Sequence, residues 1–208
     1  MERISRRVAL KWVFTAAGGV LLSDEFLQAA AAAPGGTGYG TDPDLTRLYK
    51  PGELWPLTLN AEQRKAATAL CDCIIPADDV SPSASAVGVV DFLDEWVSAP
   101  YPKQREDRKR ILEGLAWIDA EALRRFGVTF ASASTQQQTE LCADICYEPK
   151  AREDLKSAAR FFARYRDLTA GGFYTTPEGS KDIGYVGNVP QLTFEGPPPA
   201  LIRKLGLD

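Results

Sequence analysis

Between residues 59 and 170 apolar side chains recur three and four positions apart, and no stretch alternates with period two. That spacing places them on one face of a helix and excludes a strand reading. Asn60-Ala61-Glu62-Gln63 has the form of a capping box. Ala66, Ala67, Leu70, Cys71 and Ile74 follow as a buried stripe, and Pro76 stops the helix. The turn cluster 77–82 leads to a second predicted helix over 86–98, with Val89, Val90, Leu93, Trp96 and Val97 on its apolar face and Pro100 and Pro102 beyond it. A third runs from Lys103 to Phe126, with Gly127 placed for a left-handed C-terminal cap. Its first part carries charges of both signs, which suits a solvated face. Ser134 to Gln137 starts a fourth helix with Leu141, Cys142, Ile145 and Cys146 inward, closed by Pro149. A fifth is predicted over 151–169, with Leu155, Ala158, Ala159, Phe162, Tyr165 and Leu168 near one face and Gly171-Gly172 ending it. The expected fold is all-α: a compact bundle of about five amphipathic helices over 59–170, each burying one face.

The flanks break the pattern. Residues 171–208 show neither period, and Gly, Pro, Asn and aromatics dominate them, so an extended, irregular C-terminal tail is expected. Long irregular segments are usually functional or disordered. Disordered segments are poor in aromatics, whereas this one carries Phe173, Tyr174, Tyr185 and Phe194. The tail is therefore expected to be ordered against something, either a partner protein or this chain's own bundle. Residues 34–58 read as a linker rich in Gly and Pro, with Trp55 and Leu57 able to dock. Residues 1–33 read as a twin-arginine-type export signal: Arg6 and Arg7 within Ser5 to Lys11, a modest apolar stretch from Trp12 to Leu22, then the alanine run from Ala29 to Ala33. Ala9 and Asp24-Glu25 depart from that pattern, and a basic amphipathic first helix is the alternative.

Composition narrows the function classes. The chain has 208 residues, 45% of them hydrophobic and 25% charged, which suits one domain with a real core. A net charge of -4 argues against nucleic-acid binding. No apolar run is long enough for a clean transmembrane helix. Histidine is absent, which removes the commonest general base and metal ligand. Any catalysis then belongs on another chain, and no catalytic, cofactor-binding or metal-binding residue is expected here. Gly35 to Gly40 lacks the strand and helix that would make it a phosphate loop. Asp78-Asp79 is read as a turn rather than a metal site. Glu178 and Asp182 are the nearest carboxylates to a hydrolytic pair, and a solvated loop role fits them better. Cys71 and Cys73 point apart on one helix, while Cys142 and Cys146 share a face. They are read first as small apolar side chains; a cross-helix disulfide between the pairs stays open for an oxidising compartment.

A family resemblance rests on an ordered set of short motifs. These are Leu57-Thr58-Leu59-Asn60, Ile74-Ile75-Pro76-Ala77-Asp78, Gly88 to Asp94, Leu168-Thr169 with Gly172-Phe173-Tyr174-Thr175, and Gly184-Tyr185-Val186-Gly187-Asn188-Val189-Pro190. Over about 57–199, and in its leader, the chain resembles the gluconate 2-dehydrogenase subunit 3 family. That resemblance implies a non-catalytic small, or gamma, subunit. It would stabilise and co-export the FAD-containing catalytic subunit of a periplasmic or membrane-associated sugar or glycoside dehydrogenase of the glucose-methanol-choline type, with a cytochrome c subunit as a further partner. It also gives Gly172, Phe173, Tyr174, Gly184, Tyr185, Gly187, Asn188 and Pro190 a candidate partner-binding role. Tyr and Phe offer large anchors with few rotors to freeze, and glycines permit close backbone approach. The alternatives are an export chaperone not retained in the mature enzyme and a stand-alone carbohydrate-active enzyme.

Overall fold

The computed structural model describes residues 47–185, 187, 193 and 196–206. Among them are seven α-helices and no strand: α1 (Ala61–Ile74), α2 (Val89–Ser98), α3 (Pro102–Phe126), α4 (Thr135–Ile145), α5 (Lys156–Tyr174), α6 (Pro177–Asp182) and α7 (Pro199–Leu205). The all-α bundle read from the apolar periodicity is the fold observed. The expected capping box at α1 is present, and the start signal at Ser134 forms a second one. Asn60 Oδ1 accepts from Gln63 N at 2.9 Å and Gln63 Oε1 accepts from Asn60 N at 3.0 Å; Ser134 and Gln137 repeat the arrangement at the start of α4. Pro102 opens α3 at a position where its missing N–H costs nothing, and Gly127 ends it at φ 74°.

The core forms around α5, which packs against α1, α2, α3, α4 and α6. Tyr165 is fully buried at its middle and donates its hydroxyl hydrogen to Ala67 O of α1 at 2.8 Å. Burial raises its phenol well above the ordinary value, so it stays a neutral donor. Two glycines let neighbouring helices approach closely. A Cβ on Gly114 of α3 would lie 2.0 Å from the Phe161 ring of α5, and one on Gly172 of α5 would lie 2.7 Å from the Phe92 ring of α2.

Two boundaries differ from the sequence expectation. Residues 148–155 form two one-turn 3-10 segments, Glu148–Lys150 and Glu153–Leu155, so the fifth helix begins at Lys156 rather than near 151. It also continues through Gly171-Gly172 to Tyr174. Two helical glycines cost about 2 kcal/mol together. Burial of Phe173 to 0% exposure returns about 2–3 kcal/mol, before the close packing at Gly172 is counted. The helix stops instead ahead of Pro177, because a residue before proline avoids helical angles; Thr176 is extended at φ -80°, ψ 159°.

Three buried charge networks fix the rest. Asp94, fully buried on α2, accepts from Thr58 N and Leu59 N, each at 3.0 Å, and pairs with Arg64 Nη1 of α1 at 2.8 Å. Nearby, Trp55 Nε1 donates to Glu95 O at 3.3 Å and its ring meets Tyr101 edge-on. The end of the expected linker is thus docked on α2. Arg108 of α3 donates to Val97 O and, at 2.7 Å, to Ser98 O, placing a cation at the carbonyl end of α2. Asp107 accepts from Arg164 Nε at 2.8 Å and from Trp96 Nε1 at 2.9 Å, which joins α3, α5 and α2. Burial works to raise the Asp107 carboxyl, but its bonds to Arg164 and Trp96 outweigh it and hold the group below its ordinary value.

Two outcomes are expected. Gly114→Ala should lower the unfolding free energy by about 2 kcal/mol, since the buried Phe161 ring cannot swing away. Gly171→Ala, where a Cβ meets nothing within 4 Å, should raise it by about 0.5–1 kcal/mol. Urea unfolding of the two variants beside the wild type checks both signs. Asp107→Asn should cost about 3 kcal/mol near neutral pH, because it leaves Arg164 unpaired. A depressed folded-state carboxyl contributes stability above the unfolded value of about 3.9 and loses it as pH falls through the folded value. The gap between wild type and variant should therefore hold above about pH 5 and close below about pH 4 in a pH series of urea unfolding.

Candidate functional site

The segment after α5 is built by a back-turn. Thr176 caps α6: its Oγ1 accepts from Gly179 N at 3.0 Å and donates to Phe173 O at 2.7 Å. Gly179 is required there, because a Cβ would lie 2.1 Å from Phe173 O. At the other end Tyr185 N donates to Ser180 O at 2.8 Å and Gly184 N to Lys181 O at 3.0 Å, with Gly184 at φ 66°. This is a Schellman cap, in which a left-handed glycine satisfies the last carbonyls and reverses the chain. Gly187 is likewise left-handed at φ 80°.

The cap turns apolar side chains toward solvent. Ile183 and Tyr185 are each 58% exposed, and Tyr174 at the end of α5 is 39% exposed. Further along, α7 has no buried residue; Leu201 and Leu205, one turn apart, are exposed at 44% and 60%.

The eight tail residues singled out in the sequence divide into three groups. Tyr174, Gly184, Tyr185 and Gly187 are exposed. Gly172 and Phe173 are not surface: both lie inside this chain's own core, because the helical period runs on through the glycine pair and turns them inward. Asn188 and Pro190 lie outside the described residues, as do Arg6 and Arg7. The sequence reading missed Ile183, Leu201 and Leu205. Pro197 to Pro199 reads as a stiff polyproline end, yet Pro199 is the first residue of α7 and Gly206 closes it at φ 64°. Proline at the start, leucines four apart and glycine just past the end were the available signal.

The polar chemistry is committed elsewhere. Among the described residues no group of three Cys, Asp or Glu side chains could hold a metal ion, and every buried side-chain nitrogen or oxygen has a partner. Asp78 Oδ1 accepts from Val80 N and Ser81 N at 2.8 Å each, a self-satisfied turn whose backbone bonds hold the carboxyl below its ordinary value. Glu178 and Asp182 both sit on α6, capped and turned as above. Among the described residues no helix is long and apolar enough to cross a membrane.

The model of one protein family, described as gluconate 2-dehydrogenase subunit 3, matches residues 61–191, from the first residue of α1 into the tail. No curated protein and no solved structure matches the chain. The matched span covers more than half of the sequence, and the chain belongs to the gluconate 2-dehydrogenase subunit 3 family.

Proposed function

We propose that this chain is the non-catalytic small subunit of an FAD-dependent sugar or sugar-derivative dehydrogenase, and that it stabilises and co-exports the catalytic subunit. The family match carries this reading, since the family is named for a third subunit of a dehydrogenase. Three features of the chain support it. Histidine is absent from the sequence. The buried carboxylates Asp94 and Asp107 are engaged in holding helices together. The tail presents aromatic and aliphatic side chains outward.

The division of labour follows from chemistry. FAD, of a glucose-methanol-choline-type flavoprotein, would carry the hydride chemistry in the large subunit, and a cytochrome c subunit would take the electrons. The described residues of this chain, all helix and loop without a strand, do not fit a strand–glycine-turn–helix dinucleotide site. What the chain supplies is surface. A subunit that binds only the folded form of its partner stabilises that form by mass action. Tyr174, Ile183, Tyr185, Leu201 and Leu205 are the anchors proposed for that contact, with Asn188 and Pro190 continuing the same segment. A twin-arginine leader containing Arg6 and Arg7 would carry the folded pair to the periplasm together.

Two tests follow. Tyr185→Ala or Leu205→Asp should leave helical content and thermal midpoint unchanged, since both side chains are exposed, and should weaken capture of the catalytic subunit by roughly 30-fold at an interface hot spot. Co-purification with a tagged chain reads this out. The matching truncation ends after Tyr185, because a cut before Gly171 would also remove Phe173 from the core. Undiminished capture by both variants and by the truncation would discard the tail as the contact. Arg6→Lys with Arg7→Lys should hold both subunits in the cytoplasm; fractionation showing normal export would sink the co-export role.

A further inference from the structure

Glycine weakens a helix relative to alanine, because it has more backbone freedom to lose on folding. Every described glycine but one has a reason in this chain to be glycine. Seven take a positive φ, where a side chain would be strained. Gly114, Gly172 and Gly179 each have a neighbouring atom 2.0–2.7 Å from where a Cβ would stand. Gly171 has neither reason. It lies inside α5 without a positive φ, and no described atom comes within 4 Å of its Cβ position. Nothing in the described fold calls for a glycine there.

The surroundings of Gly171 are open and mostly apolar. Tyr174 and Thr175, three and four positions on, share its face of α5. Tyr174 is exposed. The Thr175 hydroxyl is turned back into the helix, where it donates to Gly171 O and Gly172 O, 2.9 Å from each, and so it offers no hydrogen outward. Against the adjacent Gly172 lies the Phe92 ring of α2, itself 37% exposed. Four positions before Gly171, Asp167 forms a polar edge and pairs with Arg166 at 3.2 Å. Gly171 is thus a gap in the side-chain layer, beside two exposed aromatic rings.

We propose that an apolar segment of the catalytic subunit packs its backbone across Gly171, with Phe92 and Tyr174 gripping its sides. This contact rests on the subunit reading and carries it from the tail onto the end of the helical body. Tyr174 is an anchor in that reading, and Gly171 stands one turn before it on the same face, so the surface is continuous. A residue without a side chain lets a second backbone come closer than any other residue does. The two rings offer large contact area with few rotors to freeze, and the Asp167–Arg166 pair supplies a polar rim. The weakness that glycine brings to α5 is then explained by a contact that the free chain does not make.

The flavoprotein subunit is isolated on tagged wild-type chain, released, identified by its bound flavin and titrated against each variant at fixed salt. Gly171→Gln places a flexible, helix-favouring side chain in the gap. It should raise the thermal midpoint of the free chain and weaken capture by roughly 30-fold, the size of an overpacked contact read as binding. Gly171→Ala should act in the same two directions, with capture weakened by about threefold. Ala120→Gln, which adds bulk at an exposed position of α3, should leave capture unchanged. In the wild-type complex, hydrogen exchange of peptides spanning 168–176 should slow relative to the free chain. Unchanged capture by Gly171→Gln beside weakened capture by Tyr185→Ala would overturn this contact and leave the subunit reading standing. A wild-type chain that captures no flavoprotein would overturn both. A lowered midpoint for the free Gly171→Gln chain would mean that this chain's own tail covers the position. A free-chain dimer split by the same variant would mean that a second copy does. Either result overturns the proposal.

Discussion

The close contact between α5 and its neighbours is the constraint on which the rest depends. At Gly114 the Phe161 ring of α5 occupies the space where a side chain of α3 would be. At Gly172 the Phe92 ring and Val89 of α2 occupy the corresponding space on α5 itself. Between those two approaches Tyr165 ties α5 to α1 through the Ala67 carbonyl. One helix therefore sets the spacing of three others. Closely packed interiors do not tolerate an added carbon at such points without a shift of backbone or rotamer.

Charge is used inside this protein for assembly. Asp94 holds the chain entering α1 and the side of α1 itself, Asp107 joins three helices, and Arg108 neutralises the carbonyl end of α2. Each is satisfied by several partners, which is the condition under which a buried charge is tolerated. Groups so engaged are poor candidates for proton transfer, because a second hydrogen-bonding role would have to break an existing one. The polar interior thus supports the fold.

That segment is shaped by backbone rules. Pro177 ends α5 and starts α6, Gly179 lets α6 fold against the Phe173 carbonyl, and Gly184 reverses the chain so that Ile183 and Tyr185 face solvent. Apolar side chains held in that way need no reordering before they meet a partner, which lowers the entropic cost of binding. The contact proposed for Ile183 and Tyr185 would draw on this pre-organisation. It also explains why their neighbours in sequence, Gly172 and Phe173, belong to a different part of the molecule: they precede the reversal and face the core.

The helix-forming stretches, their inward faces, the capping box at Asn60 and the start signal at Ser134 were legible in the chain, because each depends on residues within about one turn of one another. The ordered motifs likewise pointed to the family. The same local signals failed at Gly171-Gly172. Propensity alone ends a helix there, but burial of Phe173 and the space for Phe92 outweigh a cost of about 2 kcal/mol, and both come from residues distant in sequence. The docking of Trp55 on α2 was decided by tertiary structure for the same reason. Sequence by itself determined which residues can be helical and which face of each helix is apolar. Only packing decided where α5 stops, and with it which tail residues turn into the core and which turn out to solvent.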